Sequence, residues 1–448
     1  MALELQDALK TGKKQLAVWG IGYIGYSSLA HFAREGIRCV GGDISKKRVD
    51  DINISGKSSI PNIEYWLDFD VGPLTKKRLI SATNNLDELI DDINSVHLIA
   101  VPTEKNGAPY MGAFTDTLSR IFDGCRTKKF KDAPLVIIES TISPNVIDGI
   151  IVKLAKTKRI SIGTDIRIGV APRRDWFVSP DKTLRSLPRI VGGFDETTTK
   201  LVVEVLSIVC DNLLPAKDAK HACLVKSVEN AFRQLDITFA NQLSLAYPDL
   251  NILEVLKLAG TKWNIETYHP SFGVGGYCIP LAPYYVIDGA EKPDELTLLK
   301  ASIKANANQP KRVAQSLKKR KVKSVGILGL AYTGDIKVDI LSPTISIVNQ
   351  LKEVNIPVKV NDPLYTQEEI KEICDVETFS YPNGMDEFEV IIIVSSHSLY
   401  VSTPTNDILK HLSACRLVLD NMGAWRDKQS QFRPKGIEYH EAGDAKWL

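Results

Sequence analysis

The sequence lacks any apolar run long enough to cross a bilayer, and its first fourteen residues are polar, without the apolar core of a signal peptide. It also lacks a strong charge of either sign, because 56 lysines and arginines face 54 aspartates and glutamates, a net charge of +2. A balance this close to neutral indicates neither nucleic acid nor a membrane surface as a partner. We therefore expect no nucleic-acid partner and no membrane association.

No Cys-x-x-Cys pair occurs, and the seven cysteines are scattered and odd in number. This pattern argues against a disulfide framework and against a zinc site, so we expect reduced thiols, a cytoplasmic protein and no bound metal. The 448 residues, 44% hydrophobic and 25% charged, are enough for two or three globular domains.

The first half contains the fingerprint of a dinucleotide-binding site. An apolar strand at residues 15–19 runs into Gly20-Ile21-Gly22-Tyr23-Ile24-Gly25, and a helical pattern follows from about Ser27 to Glu35. Gly20 permits the tight turn, Gly22 lets the backbone approach a pyrophosphate, and Gly25 lets the helix pack closely on the strand. The N-terminus of the helix attracts the phosphate charge.

Asp43 follows a second predicted strand at residues 38–42. Its carboxylate would accept hydrogen bonds from the ribose hydroxyls of the adenosine and would repel a 2′-phosphate, which favours NAD over NADP. The basic run Lys46-Lys47-Arg48 leaves NADP open, because these side chains are able to accommodate a phosphate.

Three further apolar segments end in polar or proline-containing loops, as expected for a parallel sheet whose strand ends face a ligand. They are residues 96–101 before Pro102-Thr103, 135–138 before Glu139-Ser140-Thr141, and 166–170 before Ala171-Pro172. Thr141 is interpreted in two ways: it hydrogen-bonds the substrate, a water or the cofactor, or it caps a helix starting near Pro144.

A long helix is predicted from Pro215 to about Ala246, since this stretch has no internal proline or glycine. Apolar residues recur at helical spacing and predict one buried face. A second face carries a polar stripe, which is either solvated or functional. The apolar residues are Leu224, Val228, Ala231, Leu235 and Phe239, and the polar ones are Lys226, Asn230 and Arg233.

Gly273, Gly275 and Gly276 lead into Cys278, and Pro280 and Pro283 follow it. Glycines let a ligand approach the main chain closely, and prolines stiffen the segment that follows. Cys278 therefore either presents its thiol to a bound small molecule or is a buried structural cysteine. Taken alone, this stretch favours the structural interpretation.

The second half repeats the α/β pattern. A strand at residues 324–328 precedes Gly329-Leu330-Ala331-Tyr332-Thr333-Gly334, and Ser342-Pro343 begins a helix through Leu351. Further strands are predicted at 358–360, 390–394 and 417–419, and the charged and polar tail after Trp425 shows little sign of a further domain. The pattern predicts a second nucleotide-binding crevice without the full glycine fingerprint.

Taken together, these motifs resemble the UDP-glucose/GDP-mannose dehydrogenase family, and most closely its UDP-N-acetylhexosamine (GlcNAc/GalNAc/ManNAc) 6-dehydrogenases, over nearly the whole chain. The residues that carry the resemblance are the fingerprint ending in Asp43, Val101-Pro102-Thr103, Glu139-Ser140-Thr141, Lys226, Glu229, Asn230, Arg233, the segment Ala259 to Asn264, the segment Gly273 to Tyr285, the segment Gly329 to Tyr332, and Asp362-Pro363.

The resemblance implies an α/β fold with two Rossmann-like, doubly wound parallel-sheet domains joined by a helical central domain with one long helix. The implied domains are an NAD-binding domain at 1–205, a central dimerisation domain with the catalytic Lys, Asn and Cys at 206–315, and a nucleotide-sugar-binding domain at 316–448. A homodimer and a role in polysaccharide biosynthesis are implied in the same way.

The resemblance also implies oxidation of a sugar C6 alcohol to a carboxylate with two NAD, through a thiohemiacetal and a thioester on Cys278. The implied catalytic residues are Cys278, Lys226, Asn230 and Thr141. The implied NAD contacts are Gly20, Gly22, Tyr23, Ile24, Gly25, Asp43, Arg48, Val101, Pro102, Thr103, Ser140 and Thr141. The implied substrate contacts are Arg173, Lys226, Asn230, Tyr268, Gly275 and Tyr332.

Several positions depart from the family's pattern. The family's glutamate, at the position of Arg173, and its aspartate, at the position of Ala282, are associated with proton handling and water activation. Asp175 and Glu229 are candidate substitutes by position in sequence. Arg173 reverses a local charge, which favours an extra anionic group on the substrate. The departures are Arg173 for glutamate, Tyr277 for serine or histidine, Ala282 for aspartate, Thr333 for lysine, and Ile340-Leu341 for Arg-Glu.

These departures keep alternatives to the two-step dehydrogenase open. One is a variant that stops after one oxidation or acts at another sugar carbon, which the missing carboxylates favour. Another is a non-catalytic subunit that binds NAD and a nucleotide sugar, which the joint presence of Lys226, Asn230 and Cys278 disfavours. A hydroxyacid dehydrogenase is disfavoured by the Cys278 loop and the second α/β unit.

Overall fold

The computed structural model describes residues 2–60, 63, 67–174 and 182–448. The chain forms two compact units: Met1–Val228 with Tyr284–Pro293, and Glu229–Pro283 with Asp294–Leu448. Each contains a sheet of mainly parallel strands flanked by helices, so the predicted α/β fold class is confirmed. The domain boundaries at 205 and 315 stay a prediction.

The sheet of the first unit has eight strands in the order β10-β9-β8-β7-β4-β1-β2-β3, and all neighbours are parallel except β8 and β9. A two-stranded hairpin, β5 with β6, stands apart from it. The strands are β1 Gln15–Trp19, β2 Cys39–Gly42, β3 Ile80–Thr83, β4 Asn94–Ile99, β5 Glu104–Lys105, β6 Ala108–Pro109, β7 Leu135–Ile138, β8 Arg167–Val170, β9 Arg189–Gly193 and β10 Leu213–Pro215.

Helices cover both faces of this sheet, which explains why its central strands β1, β4 and β7 are buried along almost their whole length. Successive strand residues point to opposite faces; Leu16 and Val18 belong to one hydrophobic core, and Ala17 and Trp19 to the other. The helices are α1 Ala2–Lys10, α2 Tyr23–Arg34, α3 Lys46–Asp50, α4 Gly72–Lys76, α5 Gly112–Arg126, α6 Pro144–Val146, α7 Lys153–Lys158 and α8 Glu196–Leu206, with π-helical turns at Asp51–Ser55 and Ile147–Val152.

The sheet of the second unit has five parallel strands in the order β12-β11-β13-β14-β15, again with one core on each face. The strands are β11 Val325–Leu328, β12 Val358–Asn361, β13 Val390–Ile393, β14 Leu417–Asp420 and β15 Glu438–Glu441. The polar tail after Trp425 supplies β15, a strand that the sequence analysis did not predict. The sequence Glu-Tyr-His-Glu has no apolar run because β15 is an edge strand, paired on one side by β14.

The long helix α9, Ala219–Ala246, includes residues of both units. Its predicted buried face is wrong at two of five positions, since Leu224 is 36% and Phe239 60% exposed, whereas Ala231 is buried. The buried side carries small and polar residues instead, and some of them bond within the helix, as the Thr238 hydroxyl does to the Gln234 carbonyl. The buried polar residues are Ser227, Asn230, Gln234, Thr238, Asn241 and Ser244.

The remaining helices are α10 Ile252–Ala259, α11 Ala282–Asp288, α12 Thr297–Lys319, α13 Pro343–Glu353, α14 Gln367–Cys374, α15 Ser398–Ser402, α16 Thr405–Lys410 and α17 Gln429–Phe432. Ser342 caps α13, since its hydroxyl accepts from the Thr344 amide, so the predicted start at Ser342-Pro343 is confirmed. Within the described part of the chain, no helix has the length and apolar character needed to span a membrane.

Candidate active site

The glycine fingerprint of the first unit has the geometry that a dinucleotide pyrophosphate requires. Gly20 has φ +85°, and a Cβ there would lie 2.7 Å from the Ala100 carbonyl oxygen. A Cβ on Gly25 would overlap the Gly20 carbonyl oxygen, so the start of α2 packs directly on the loop. A Cβ on Gly22 would meet nothing within 4 Å, which leaves open space at the N-terminus of α2 for a phosphate.

Asp43, at the end of β2, is held in place by this loop. One carboxylate oxygen accepts from the Ile21 amide at 3.0 Å, and the other accepts from the Ser45 amide at 2.8 Å. The Arg48 guanidinium lies 3.3 Å from the carboxylate and is about half exposed. The structure therefore brings the fingerprint, Asp43 and Arg48 together, and these residues fit the adenosine and pyrophosphate parts of NAD.

The loops after β4 and β7 form one connected rim. The Thr103 hydroxyl donates to the Thr141 carbonyl at 2.7 Å, and the Ser140 hydroxyl donates to the Val101 carbonyl at 2.7 Å. Thr141 is half-buried. It does not cap the helix at Pro144, because Ser143 is that N-cap residue. The helix-cap interpretation of Thr141 is therefore wrong, and its cofactor or water contact stays a prediction.

Tyr285 also belongs to this rim, although the sequence analysis assigned it no role. Its hydroxyl donates to the Thr103 carbonyl at 2.7 Å and lies 2.9 Å from the Thr103 hydroxyl. Burial raises the pKa of Tyr285 to about 12, so the hydroxyl keeps its proton. In the sequence, the feature that pointed to this tyrosine is its position seven residues after Cys278.

Arg173 is buried against α2. The side chain is 4% exposed, and its guanidinium donates to the Ser28 hydroxyl at 2.6 Å and the Ser27 hydroxyl at 3.1 Å, both in α2. This burial against α2 argues against the predicted contact with an anionic group of the substrate. Asp175, the first candidate substitute for the missing carboxylates, lies outside the described residues.

In the second unit, acceptors from distant segments hold the loop that leads to Cys278. Its amides would otherwise lack partners, because the loop has no regular secondary structure. The side-chain oxygens of three asparagines and one backbone carbonyl accept from them. The bonds are Ser271 N to Asn241 at 2.7 Å, Phe272 N to Asn421 at 2.8 Å, Val274 N to Asn306 at 2.9 Å, and Gly276 N to the Ile340 carbonyl at 2.9 Å.

Tyr332 packs against the glycines of the same loop. A Cβ on Gly275 would lie 2.7 Å from the Tyr332 Cβ, and one on Gly276 would lie 2.9 Å from its ring. Gly276 also has φ +87°, which favours glycine. Gly275 and Tyr332, both predicted substrate contacts, are therefore neighbours beside the loop that carries Cys278.

Cys278 is exposed, whereas the other six cysteines are buried or half-buried. The structural interpretation, in which Cys278 is buried, is therefore wrong. Burial raises the pKa of the Cys39 thiol, and it raises the pKa of Cys125, Cys223 and Cys374 to about 12 and of Cys415 to about 11. Since the thiolate is the nucleophile, Cys278 is the best placed of the seven thiols to react.

The remaining predicted residues lie on or near α9. Asn230 is 6% exposed, and its side-chain oxygen accepts from the Arg233 guanidinium at 3.4 Å. Lys226 and Glu229 are half-buried. Tyr268 is half-buried too, and its burial and the nearby Glu266 carboxylate raise its pKa.

Asp362 occupies the position in the second sheet that Asp43 occupies in the first. One of its carboxylate oxygens accepts from the Leu330 and Ala331 amides, at 2.7 and 2.9 Å, and lies 3.1 Å from Nε2 of the buried His397. Burial alone would raise the pKa of Asp362, but the hydrogen bonds from His397 and the amides lower it. Asp362 therefore fixes the loop after β11, a role that its place in the sequence did not reveal.

We predict that limiting iodoacetamide modifies Cys278 first, about tenfold or more faster than Cys125, because Cys278 alone is exposed and the Cys125 thiol has a raised pKa. Peptide mass spectrometry after short exposure measures the site and rate. Equal labelling of Cys278 and Cys125 would contradict the geometry of the loop.

We predict that Asn306→Ala loosens the Cys278 loop, because the Val274 amide loses its acceptor. An unmade hydrogen bond of a buried group costs about 1–3 kcal/mol, so hydrogen exchange across residues 271–278 should speed about fivefold or more. Asn308→Ala, on the same helix, is the matched control and should leave this exchange unchanged. The role of Asn306 would be disproved by equal exchange in both variants.

Three models of one family match the chain in succession. They are the UDP-glucose/GDP-mannose dehydrogenase family NAD-binding domain at residues 14–209, the central domain at 220–308 and the UDP-binding domain at 326–427. A UDP-N-acetyl-D-mannosamine dehydrogenase from Campylobacter jejuni is 28% identical over 424 residues, which cover 88% of this chain and 98% of the relative.

Solved structures show the same fold. A UDP-D-ManNAc dehydrogenase from Pyrococcus horikoshii superposes with a TM-score of 0.81 at 24% identity, over 96% of this chain and all of that one. A UDP-glucose dehydrogenase from Pyrobaculum islandicum also gives 0.81, at 22% identity, over 96% of this chain and 98% of that one. With all three domain models in order along a chain whose fingerprint fits NAD, the protein is an NAD-dependent oxidoreductase that belongs to the UDP-glucose/GDP-mannose dehydrogenase family.

Proposed function

We propose that this protein oxidises the C6 alcohol of a UDP-N-acetylhexosamine to a uronate, with UDP-N-acetyl-D-mannosamine as the first substrate to test. The exposure of Cys278, at the end of a loop whose amides are fixed by three asparagines, carries the proposal. Relatives that match 88% or more of the chain, from Campylobacter jejuni and Methanococcus aeolicus, bear the name UDP-N-acetyl-D-mannosamine dehydrogenase, which supports the sugar.

The chemistry takes four electrons from C6. NAD, when bound, accepts one hydride in each of two steps. In the first, the C6 alcohol loses a hydride from carbon and a proton from oxygen and becomes an aldehyde. The Cys278 thiolate then adds to the aldehyde carbon, giving a thiohemiacetal. Loss of the second hydride and of the hydroxyl proton yields a thioester, and water cleaves its C–S bond to release the carboxylate and the thiol.

Lys226 and Asn230 are proposed to stabilise the negative oxygen that forms at C6. A lysine ammonium and an asparagine amide are donors suited to an alkoxide or a tetrahedral oxyanion. The burial of Asn230 supports this role, since a donor away from water interacts more strongly with such a charge. Thr141 is proposed to contact the water or the cofactor, and Tyr268 to contact the substrate beside Gly275 and Tyr332.

A reaction that stops at the aldehyde is the second candidate, and two observations favour it. The Arg173 guanidinium is bound to hydroxyls of α2, and Ala282 is a buried alanine, so neither position supplies the family's carboxylate. Glu229, the residue before Asn230, is the proposed replacement. Without such a base, proton removal from the thiohemiacetal hydroxyl in the second oxidation would slow, and the aldehyde would leave by reversal of the thiol addition.

Stoichiometry tests the two candidates. With NAD and UDP-N-acetyl-D-mannosamine, we expect two NADH for each sugar consumed and a uronate by mass, because Cys278 permits the second oxidation. Cys278→Ser should lower uronate formation about 1,000-fold or more, since the hydroxyl is a far weaker nucleophile. Cys125→Ser is the control and should turn over as the parent does.

One NADH per sugar with an aldehyde product would support the second candidate instead. No NADH with any UDP-hexose or UDP-N-acetylhexosamine, in a protein that binds NAD, would reject both candidates. A full rate in Cys278→Ser would reject the covalent path and leave only direct oxidation of the hydrated aldehyde.

We also propose a homodimer formed through the exposed apolar residues of α9 and of the segment that follows it. Four large apolar side chains are strongly exposed there: Phe232 is 62%, Phe239 60%, Leu258 63% and Trp263 92% exposed. An apolar patch of this kind indicates an interface between protein chains. A second copy would cover it, and Phe232 and Phe239 lie seven residues apart on one face of the helix.

Phe232→Glu should convert a dimer to a monomer, because it places a charge in the apolar contact. Sedimentation velocity on the intact chain measures the change. Leu399→Glu, at an exposed leucine of α15, is the matched control and should remain dimeric. If the parent chain sediments as a monomer, the homodimer proposal is wrong.

A cytoplasmic location and a role in polysaccharide biosynthesis belong to the same proposal. All seven cysteines are unpaired, as expected for a reducing compartment, and cell fractionation tests the location.

A further inference from the structure

Arg173 reaches from the loop after β8 into the first turns of α2. Its guanidinium donates to the Ser28 hydroxyl at 2.6 Å, to the Ser27 hydroxyl at 3.1 Å and to the Ile24 carbonyl at 3.4 Å. Ile24 belongs to the glycine fingerprint, and Gly22 is the N-cap of the same helix. A buried positive charge therefore lies beside the turns of α2 that present their amides to the pyrophosphate.

Ser28 connects this arginine to the end of β7. Its hydroxyl donates to one Glu139 carboxylate oxygen at 2.6 Å, and the other oxygen accepts from the Arg189 guanidinium at 2.5 Å. Arg189 in turn donates to the Ala171 carbonyl at 3.1 Å through its Nε. All three charged side chains are at least nine-tenths buried. The ends of β7 and β8, the start of β9 and the helix α2 are thus joined by one hydrogen-bonded network.

The network lies behind two separate segments that are predicted to contact NAD. Arg173 holds the fingerprint helix, and Glu139 immediately precedes Ser140 and Thr141 in the rim. Charge-assisted hydrogen bonds are about twice as strong as neutral ones, so Arg173 is able to fix the spacing between the two segments.

We propose that Arg173 is a positioning residue for NAD: through its bonds to α2 and the link from Ser28 to Glu139, it sets the fingerprint helix against the Glu139-Ser140-Thr141 segment. It contacts neither the sugar nor the reacting carbon in this role. Arg173, which replaces the family's carboxylate, would in this way support NAD binding. The proposal rests on NAD binding and is independent of the reaction proposed above.

Binding measurements on the full chain test this role without turnover. NADH affinity, UDP affinity and the thermal unfolding temperature are measured for Arg173→Gln, Arg173→Lys and Ser28→Ala. Arg173→Gln should weaken NADH binding about tenfold or more, because the charge-assisted hydrogen bonds to α2 are lost, and should leave UDP affinity within about twofold. Arg173→Lys keeps the charge and should recover part of the loss, and Ser28→Ala should be intermediate.

Arg167→Gln is the matched control, at the opposite end of β8, where the guanidinium donates to the Ala133 carbonyl. It should bind NADH as the parent does. NADH affinity within twofold of the parent in Arg173→Gln would overturn the proposal. An equal loss of NADH and UDP affinity would do so too, since it would show a general structural defect. If Arg173→Gln fails to fold, Ser28→Ala and Arg173→Lys decide by the same comparison of the two ligands.

Discussion

The loop before Cys278 depends on one constraint, the need of its backbone amides for acceptors. Glycines give the loop its shape but supply no side chain to satisfy its N–H groups. The acceptors are the side-chain oxygens of three asparagines: Asn241 in α9, Asn306 in α12 and Asn421, the residue after β14. An amide oxygen accepts a hydrogen bond without adding a negative charge, and a negative charge nearby would disfavour a thiolate nucleophile. Three neutral acceptors therefore fix the thiol's position and keep its surroundings suited to reaction.

The same topological position serves two purposes in the two sheets. Asp43 and Asp362 each follow the second strand of an α/β unit and each accept from amides of the loop after the first strand. Arg48, half exposed, lies beside Asp43, whereas the fully buried His397 lies against Asp362 and locks it into the protein. The first acid therefore has a half-exposed side chain as its partner, whereas the second is enclosed within its own unit. Motif position alone does not distinguish these roles, because the deciding partner of Asp362 lies 35 residues further along the chain.

Sequence patterns predicted those parts of the fold that follow from burial of apolar side chains. The strand at 135–138 was predicted residue for residue, since all four residues are apolar and buried. The polar edge strand β15 and the buried polar side of α9 were missed, because neither shows apolar periodicity. The residues of the fingerprint were predicted from their spacing. The partners of the Cys278 loop and of Arg173 were not, because Asn421 is 149 residues from Phe272 and Ser28 is 145 residues from Arg173, and tertiary folding alone brings them together.

The departures from the family's pattern concentrate on one chemical step. Under the proposed mechanism, Cys278 supplies the nucleophile, Lys226 a cation, and Asn230 and Thr141 neutral polar groups. These suit hydride removal, in which negative charge develops on the C6 oxygen and needs donors. Thioester hydrolysis instead needs a group that takes a proton from water, and none of the four is a carboxylate. The Arg173 guanidinium is hydrogen-bonded to α2, and Ala282 has no ionisable group. Glu229, one residue from Asn230 on the same helix, is therefore the proposed group that takes the proton from water. The release of a uronate therefore depends on whether that carboxylate reaches the water, because without hydrolysis the thioester on Cys278 persists.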